Sequence, residues 1–253
     1  MKEAILTAKK LCKSFAANGV QNHVLTGIDL EVYRGDFTVV MGASGSGKST
    51  LLYALSGMDR ATSGEVIYGG KDLVKLSEKE LTLLRRKDFG FVFQKMHLVS
   101  NMTMFENVTV PAYLDKTVPA RDTDEKAQEL FKTMGIADVM KHLPSQCSGG
   151  EQQRCAIIRA VISKPAVLFA DEPTGALNRR NTTEVLDLLT RLNAEGQSVF
   201  MVTHDIRAAV RGSRIIYIED GKISGELTLP HYEQESEQSR ETQVNSWLTS
   251  MHW

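Results

Sequence analysis

Eight residues leave few folds open to this chain: Gly42-Ala43-Ser44-Gly45-Ser46-Gly47-Lys48-Ser49. They fit the pattern G-x-x-x-x-G-K-[ST]. An apolar, β-branched run, Phe37–Met41, leads into them, and Leu51–Leu55 continues beyond as helix. In a strand–loop–helix unit of this kind the glycines let the backbone curl, so that successive N–H groups point inward as an anion nest. The helix start adds partial positive charge. Lys48 is then placed to reach the β- and γ-phosphates of a nucleotide, and the Ser49 hydroxyl to ligate Mg²⁺. With Thr50, the candidate ATP-binding set is Gly42, Ala43, Ser44, Gly45, Ser46, Gly47, Lys48, Ser49 and Thr50. A chance Gly/Ser-rich turn would lack both flanking elements.

A second segment completes the chemistry. Val167-Leu168-Phe169-Ala170-Asp171-Glu172 is an apolar strand ending in two adjacent carboxylates. Asp171 is placed to hold Mg²⁺, directly or through water. Glu172, one residue on, points elsewhere and can polarise a water for in-line attack on the γ-phosphate. The plainer alternative is that the pair only caps the next helix. Further upstream, Ser148 is a good N-cap for a helix, and Gly149 and Gly150 leave bare N–H groups at its start. That is a second anion site, and one ATP cannot fill two such sites in one fold.

Along the chain, Ala4–Ala8, Val24–Val32 and Gly64–Tyr68 read as strands of a small β layer, and Phe89–Phe93 as another buried strand. From about 95 to 163 the periodicity turns helical, as in Glu125–Met134, where Ala127, Leu130, Phe131 and Met134 share one face. Glu151–Ile162 is helical too. Strand and helix alternate again in Val167–Ala170, Asn181–Asn193, Ser198–Thr203 and Arg214–Glu219. In the Asn181–Asn193 helix, Val185, Leu188, Leu189 and Leu192 share a face. The expected fold is α/β: a P-loop NTPase core with a mostly parallel sheet, an N-terminal antiparallel β layer and an inserted helical subdomain. One domain over 1–230 is expected, with a tail over 231–253. In that tail Val244, Trp247, Leu248 and Met251 form one stripe of a short helix, which either docks on the chain's own core or binds a partner.

Composition removes other classes. Lys plus Arg is 30 and Asp plus Glu 31, a net charge of −1, which gives no case for nucleic acid as a partner. No apolar run approaches the roughly 18 residues of a membrane span. The start, MKEAILTAKK, has no signal-peptide apolar region. Cys12, Cys147 and Cys155 lack metal-ligand spacing and read as reduced thiols. The expectation is a cytoplasmic protein whose membrane contact comes through a partner.

Cys147-Ser148-Gly149-Gly150-Glu151-Gln152-Gln153-Arg154, just upstream of the Asp171-Glu172 strand, resembles the signature of ATP-binding cassette (ABC) transporter ATPases. The resemblance covers about residues 3–228. It implies a head-to-tail dimer with two copies of the chain as partners, each ATP lying between one subunit's phosphate loop and the other's Ser148, Gly149, Gly150 and Glu151. It implies that Gln94 touches Mg²⁺ and the attacking water. His204, in Val202-Thr203-His204-Asp205, would contact the γ-phosphate, and Phe15 would stack on adenine unless it is core. It further implies an integral membrane permease as partner and attachment to the inner face of the cell membrane. Met41–Thr50, Gly90–Gln94, Glu106-Asn107-Val108 and Asp171–Gly175 are most similar to the macrolide-exporter, lipoprotein-release and bacitracin-resistance branch. The implied work is export or membrane extraction of an amphipathic substrate such as an antimicrobial peptide or antibiotic, or lipoprotein release.

Two positions depart from the family pattern. Cys147 replaces Leu, which a small hydrophobe tolerates. Asn178 stands where an Asp normally links the two ATP sites. An ABC ATPase of repair or translation would carry two motif sets, coiled coils or zinc cysteines, and none is present. A non-hydrolysing regulatory module would have no use for Glu172, His204 and Gln94. Met96, Leu98, Val99, Met102, Met104 and Phe105 crowd the segment after Gln94. They either receive a helix of the permease or fill the helical subdomain's core.

Overall fold

A computed structural model describes residues 2–17, 20–251 and 253. In chain order the strands are β1 (Ala4–Ala17), β2 (Val20–Tyr33), β3 (Phe37–Met41), β4 (Ser63–Tyr68), β5 (Lys71–Asp72), β6 (Phe89–Phe93), β7 (Val167–Asp171), β8 (Ser198–Val202), β9 (Arg214–Glu219) and β10 (Lys222–Thr228). The α-helices are α1 (Lys48–Leu55), α2 (Glu78–Asp88), α3 (Met104–Ala112), α4 (Ala120–Thr133), α5 (Gly149–Val161), α6 (Arg179–Ala194), α7 (Ile206–Arg211) and α8 (Glu237–Ser250).

The main sheet runs β10-β9-β3-β8-β7-β6. Its five inner-to-edge strands β9, β3, β8, β7 and β6 are parallel, and β10 pairs antiparallel with β9. Successive side chains of a strand face opposite ways, and here both faces are covered. Phe37, Val39 and Met41 of β3, Leu168 and Ala170 of β7, and Val199 and Met201 of β8 enter one core with α3 to α8. Val40, Val167, Phe169, Phe200 and Val202 enter a second core, shared with α1, Leu81 of α2 and the β1–β2–β4 layer. Burial on both faces explains why these strands read as unbroken apolar runs. Each fully buried Phe or Leu contributes about 1.5–3 kcal/mol. The second sheet, β2-β1-β4-β5, is antiparallel throughout.

The structure corrects several boundaries. β1 and β2 are 14 residues each, far longer than Ala4–Ala8 and Val24–Val32. The β1–β2 register shifts between Ala8 and Leu11 and again at Lys13, with Lys10 at φ 47°, so bulges hide the alternation. The polar helix α2 and the hairpin strand β10 have no counterpart in the sequence reading. The helical stretch holds α3, α4 and α5, and α4 turns Ala127 and Phe131 fully inward. Of the cluster after Gln94, Met104 is fully buried, Leu98 and Phe105 pack on the core, and Val99 is exposed. Half of that crowd, Leu98, Met104 and Phe105, therefore belongs to the core. The C-terminal stripe lies on the chain's own core: Val244 and Leu248 are buried, with Trp247 and Met251 packed against them.

Candidate functional site

The site forms at the carboxyl ends of β3, β7 and β8, where parallel strands deliver their following loops to one edge. After β3 the chain turns through Gly42 and Gly47, at φ 154° and 102°, into the first turn of α1. A Cβ on Gly42 would stand 2.2 Å from the Ile218 carbonyl oxygen, and one on Gly47 2.9 Å from that of Val24. Only glycine lets this loop lie against the sheet. The Lys48 ammonium donates to the carbonyls of Gly42 at 2.7 Å and Ala43 at 2.8 Å. Burial holds its pKa below the usual lysine range, although the charges of Glu172 and Asp171 push it upward.

Opposite the loop, Ser49 Oγ donates to Asp171 Oδ1 at 2.7 Å. The Tyr53 hydroxyl donates to Asp171 Oδ2. Burial, and then this bond, raise the Tyr53 phenol well above its ordinary pKa. Tyr53 is therefore a neutral donor that fixes the carboxylate's orientation. The next residue turns away. Glu172 sits at φ 46°, a left-handed conformation rare for a residue with a side chain, and its N–H donates to the Val202 carbonyl at 2.9 Å. Its two oxygens are held separately. Thr203 Oγ1 donates to Oε2 at 3.0 Å, and His204 Nδ1 lies 2.9 Å from Oε1. Thr203 N–H in turn donates to the Val40 carbonyl at 3.1 Å, tying β8's exit loop to β3. The His204 ring is otherwise exposed.

A cleft of about 630 Å³ opens over these groups, lined by Val24, Ser44, Gly45, Gly47, Lys48, Ser49, Thr50, Glu172, His204 and Trp253. The residues suit a nucleotide triphosphate with Mg²⁺. The Ser46 hydroxyl is buried in the loop without a hydrogen-bond partner. Ser49 and Asp171 present hard oxygens side by side. Among the described residues no cluster of three or more His, Cys, Asp or Glu would cage a metal. Mg²⁺ suits such a place, because it is commonly held by one or two protein oxygens plus substrate phosphates and water.

Other sequence-selected residues lie outside that lining. Gln94 follows β6, and because Phe93 pairs with Asp171 it stands at the same sheet edge. Its amide is 2.7 Å from where a Gly175 Cβ would be. Phe15 is exposed, so the core reading fails; the Lys13 ammonium lies 4.7 Å from its ring centroid. Ser148 caps α5 in a reciprocal box with Glu151. Glu151 N–H donates to Ser148 Oγ at 3.3 Å, and Glu151 Oε2 accepts from Ser148 N–H at 2.7 Å. The Ser148 hydroxyl, which donates to Glu151 Oε2 at 2.7 Å, and then the Ser148 N–H hold the Glu151 carboxyl below its usual pKa. The Gln153 amide reaches back to the Phe93 carbonyl at 3.3 Å, linking α5 to the strand before Gln94. Asn178 caps α6 by accepting from Asn181 N–H at 2.9 Å. Tyr53, Thr203 and Trp253 were not among the residues selected from sequence. Tyr53 was findable, being four residues after Ser49 on the same helix face.

A glycine-rich phosphate loop and an acidic strand end at one edge of a parallel sheet define a nucleotide-binding P-loop domain. The family model described as ABC transporter matches residues 25–175, and the chain belongs to that family. It is 49% identical over 200 residues to the macrolide export ATP-binding/permease protein MacB 1/2 of Paracoccus denitrificans, covering 79% of this chain and 30% of that protein. It is 38% identical to MacB of Pasteurella multocida over 253 residues, 100% of this chain and 38% of that protein. The chain thus spans about a third of the length of these relatives. Among solved structures, the ATP-binding cassette MJ0796, a dimer in a post-hydrolysis state bound to ADP and Pi, superposes with a TM-score of 0.82. Its identity is 35%, over 90% of this chain and 100% of that one. The fold is that of an ABC ATPase cassette.

Proposed function

We propose that this chain is the ATP-hydrolysing part of a bacterial ABC exporter of the MacB type, working as a dimer on the cytoplasmic face of a membrane through a permease. The observation that carries the reading is the joint placement of Lys48, Ser49, Asp171, Glu172 and His204 around one cleft. Mg²⁺, held by Ser49 and Asp171 with Gln94 at the same edge, would neutralise charge on the transferring phosphoryl group. Loop N–H groups and Lys48 bind and orient the phosphates. Phe15 offers an open ring face to adenine. Glu172 accepts the proton of the attacking water, its carboxylate aimed by Thr203 and His204. Ser148, Gly149 and Gly150 present a helix N-terminus to the partner's nucleotide, and Glu151 acts there through its cap on Ser148. The names of the relatives, macrolide export proteins, support a macrolide-like amphipathic substrate. The test is Mg²⁺-dependent ATP turnover by the purified chain; its absence with intact folding refutes the reading.

Two further expectations follow from this reading. Asn178 stands at the family's inter-site loop with one neutral acceptor already used on its own helix. Asn178→Asp keeps that cap and adds a charge favourable at a helix start, by about 0.3–1 kcal/mol. It should raise turnover or its cooperativity without tightening ATP binding. Steady-state ATPase rates and Hill coefficients of both forms in the assembled transporter decide; unchanged values confine Asn178 to capping. The exposed Val99, beside the loop that Arg159 braces through the carbonyls of His97 at 2.8 Å and Met96 at 2.6 Å, belongs to the surface that receives the permease. Val99→Glu should fold and hydrolyse ATP normally yet fail to copurify with the permease. Normal copurification removes Val99 from the contact.

A further inference from the structure

Helix α8 does more than cover the core, because its far end brings a side chain to the nucleotide cleft. Three anchors fix its path. The buried Arg240 guanidinium donates to the carbonyls of Val210 at 2.8 Å, Gly212 at 2.6 Å and Pro230 at 2.9 Å. It thereby fastens α8 to the end of α7, the helix that begins two residues after His204. Burial lowers the Arg240 pKa, and three carbonyl acceptors hold the charge there. Val244 and Leu248 then seat the helix in the main core. Finally Met251 and Trp247 press on β10 where it carries Gly225. A Cβ there would meet Met251 Sδ at 2.6 Å and the Trp247 ring at 3.3 Å, so the missing side chain is the space they fill.

Beyond these anchors, Trp253 N–H donates to the Leu248 carbonyl at 3.1 Å. The indole meets the buried Tyr217 ring edge to face, with centroids 6.1 Å apart. Tyr217 is in β9, next to Ile218, whose carbonyl abuts Gly42 of the phosphate loop. Trp253 keeps 40% of its surface exposed, and it shares the cleft with Lys48, Ser49, Glu172 and His204. A large aromatic held against a buried Tyr, yet open toward a polar cleft, has an apolar face and an N–H donor available to a ligand.

We propose that Trp253 is a nucleotide-contacting residue, and that α8 positions it as one wall of the cleft. This deepens the proposed function and rests on it: the occupant is a nucleoside triphosphate. The same helix, through Arg240 and α7, joins this wall to the segment carrying His204. The chain has two tryptophans, so Trp247→Phe leaves Trp253 as the sole indole reporter. In that background, titration with MgATP should change the emission along a saturable curve that matches the Kd from calorimetry. In the otherwise unchanged chain, Trp253→Ala should weaken MgATP binding by about tenfold, the equivalent of about 1.4 kcal/mol, with Trp253→Phe losing less. Calorimetric binding with silent emission overturns the proposal while leaving the nucleotide site standing. Tighter binding by Trp253→Ala also overturns it, since the indole would then be an obstruction. No calorimetric binding in the unaltered chain would instead overturn the proposed function itself.

Discussion

Replacing Glu172 with Gln is expected to lower ATP turnover by about 10²–10⁴-fold, the usual contribution of a general base, while leaving MgATP affinity little changed. The two side chains share shape. Gln keeps one oxygen to accept from Thr203 and presents an amide N–H₂ to His204 in place of the second oxygen. Neither the phosphate loop nor the Ser49–Asp171 pair depends on Glu172. What disappears is proton acceptance. With hydrolysis blocked and binding intact, ATP-bound dimers should accumulate in gel filtration. Turnover near the wild-type rate would remove Glu172 from the chemistry. The backbone supports the assignment: φ 46° at a residue with a side chain is strain of order 1–3 kcal/mol, and Val202, Thr203 and His204 together hold the residue there.

The candidate site was legible wherever chemistry requires residue types at fixed spacing. Gly42–Thr50, Asp171-Glu172 and the Ser148 cap are local patterns whose backbone context can be read directly beside them. The structure brings the first two together with His204 because β3, β7 and β8 are adjacent parallel strands. Contacts across the sheet are non-local, and this is why Thr203, read only as a neighbour of His204, was given no role and Trp253 escaped notice. Nothing near Trp253 in sequence records that Gly225 and Tyr217 form its seat.

The fold followed the same rule. Strands buried on both faces were clear as apolar runs, with Phe37–Met41 matching β3 residue for residue. Strand β10 alternates between exposed and half-buried positions at a sheet edge and carries little apolar signal, although Asp220-Gly221 ahead of it is a hairpin turn. Helix α2 buries only Leu81, so no stripe revealed it; its Ser77–Glu80 capping box was the one available sign. Asn178 shows the opposite failure. A family comparison marks it as a departure, while the structure gives it a local task as the cap of α6.

Gly42→Ala is expected to destabilise the protein by about 3 kcal/mol, combining overpacking of about 1–3 kcal/mol with local backbone strain. The added Cβ would stand 2.2 Å from the Ile218 oxygen, 3.2 Å from the Ile218 carbonyl carbon and 2.7 Å from Ser46 Oγ. The Ser46 rotor can yield, but the Ile218 backbone cannot yield cheaply. It lies in β9, fully buried and paired with Ile223 of β10, and Tyr217 beside it pairs with Met41 of β3. The loop must therefore move, carrying the Gly42 and Ala43 carbonyls that anchor Lys48. A fall in Tm of about 6–12 °C is expected for a chain of this size, with MgATP affinity reduced at least about tenfold. Gly45→Ala separates the two causes. Gly45 also has a positive φ, 83°, but a Cβ there meets nothing within 4 Å. That variant should bear only the conformational strain, about 1–2 kcal/mol, and a smaller loss of Tm. Thermal melts of both variants with and without MgATP decide the matter. Equal losses would mean that strain alone, rather than the close approach of the loop to β9, requires glycine at position 42.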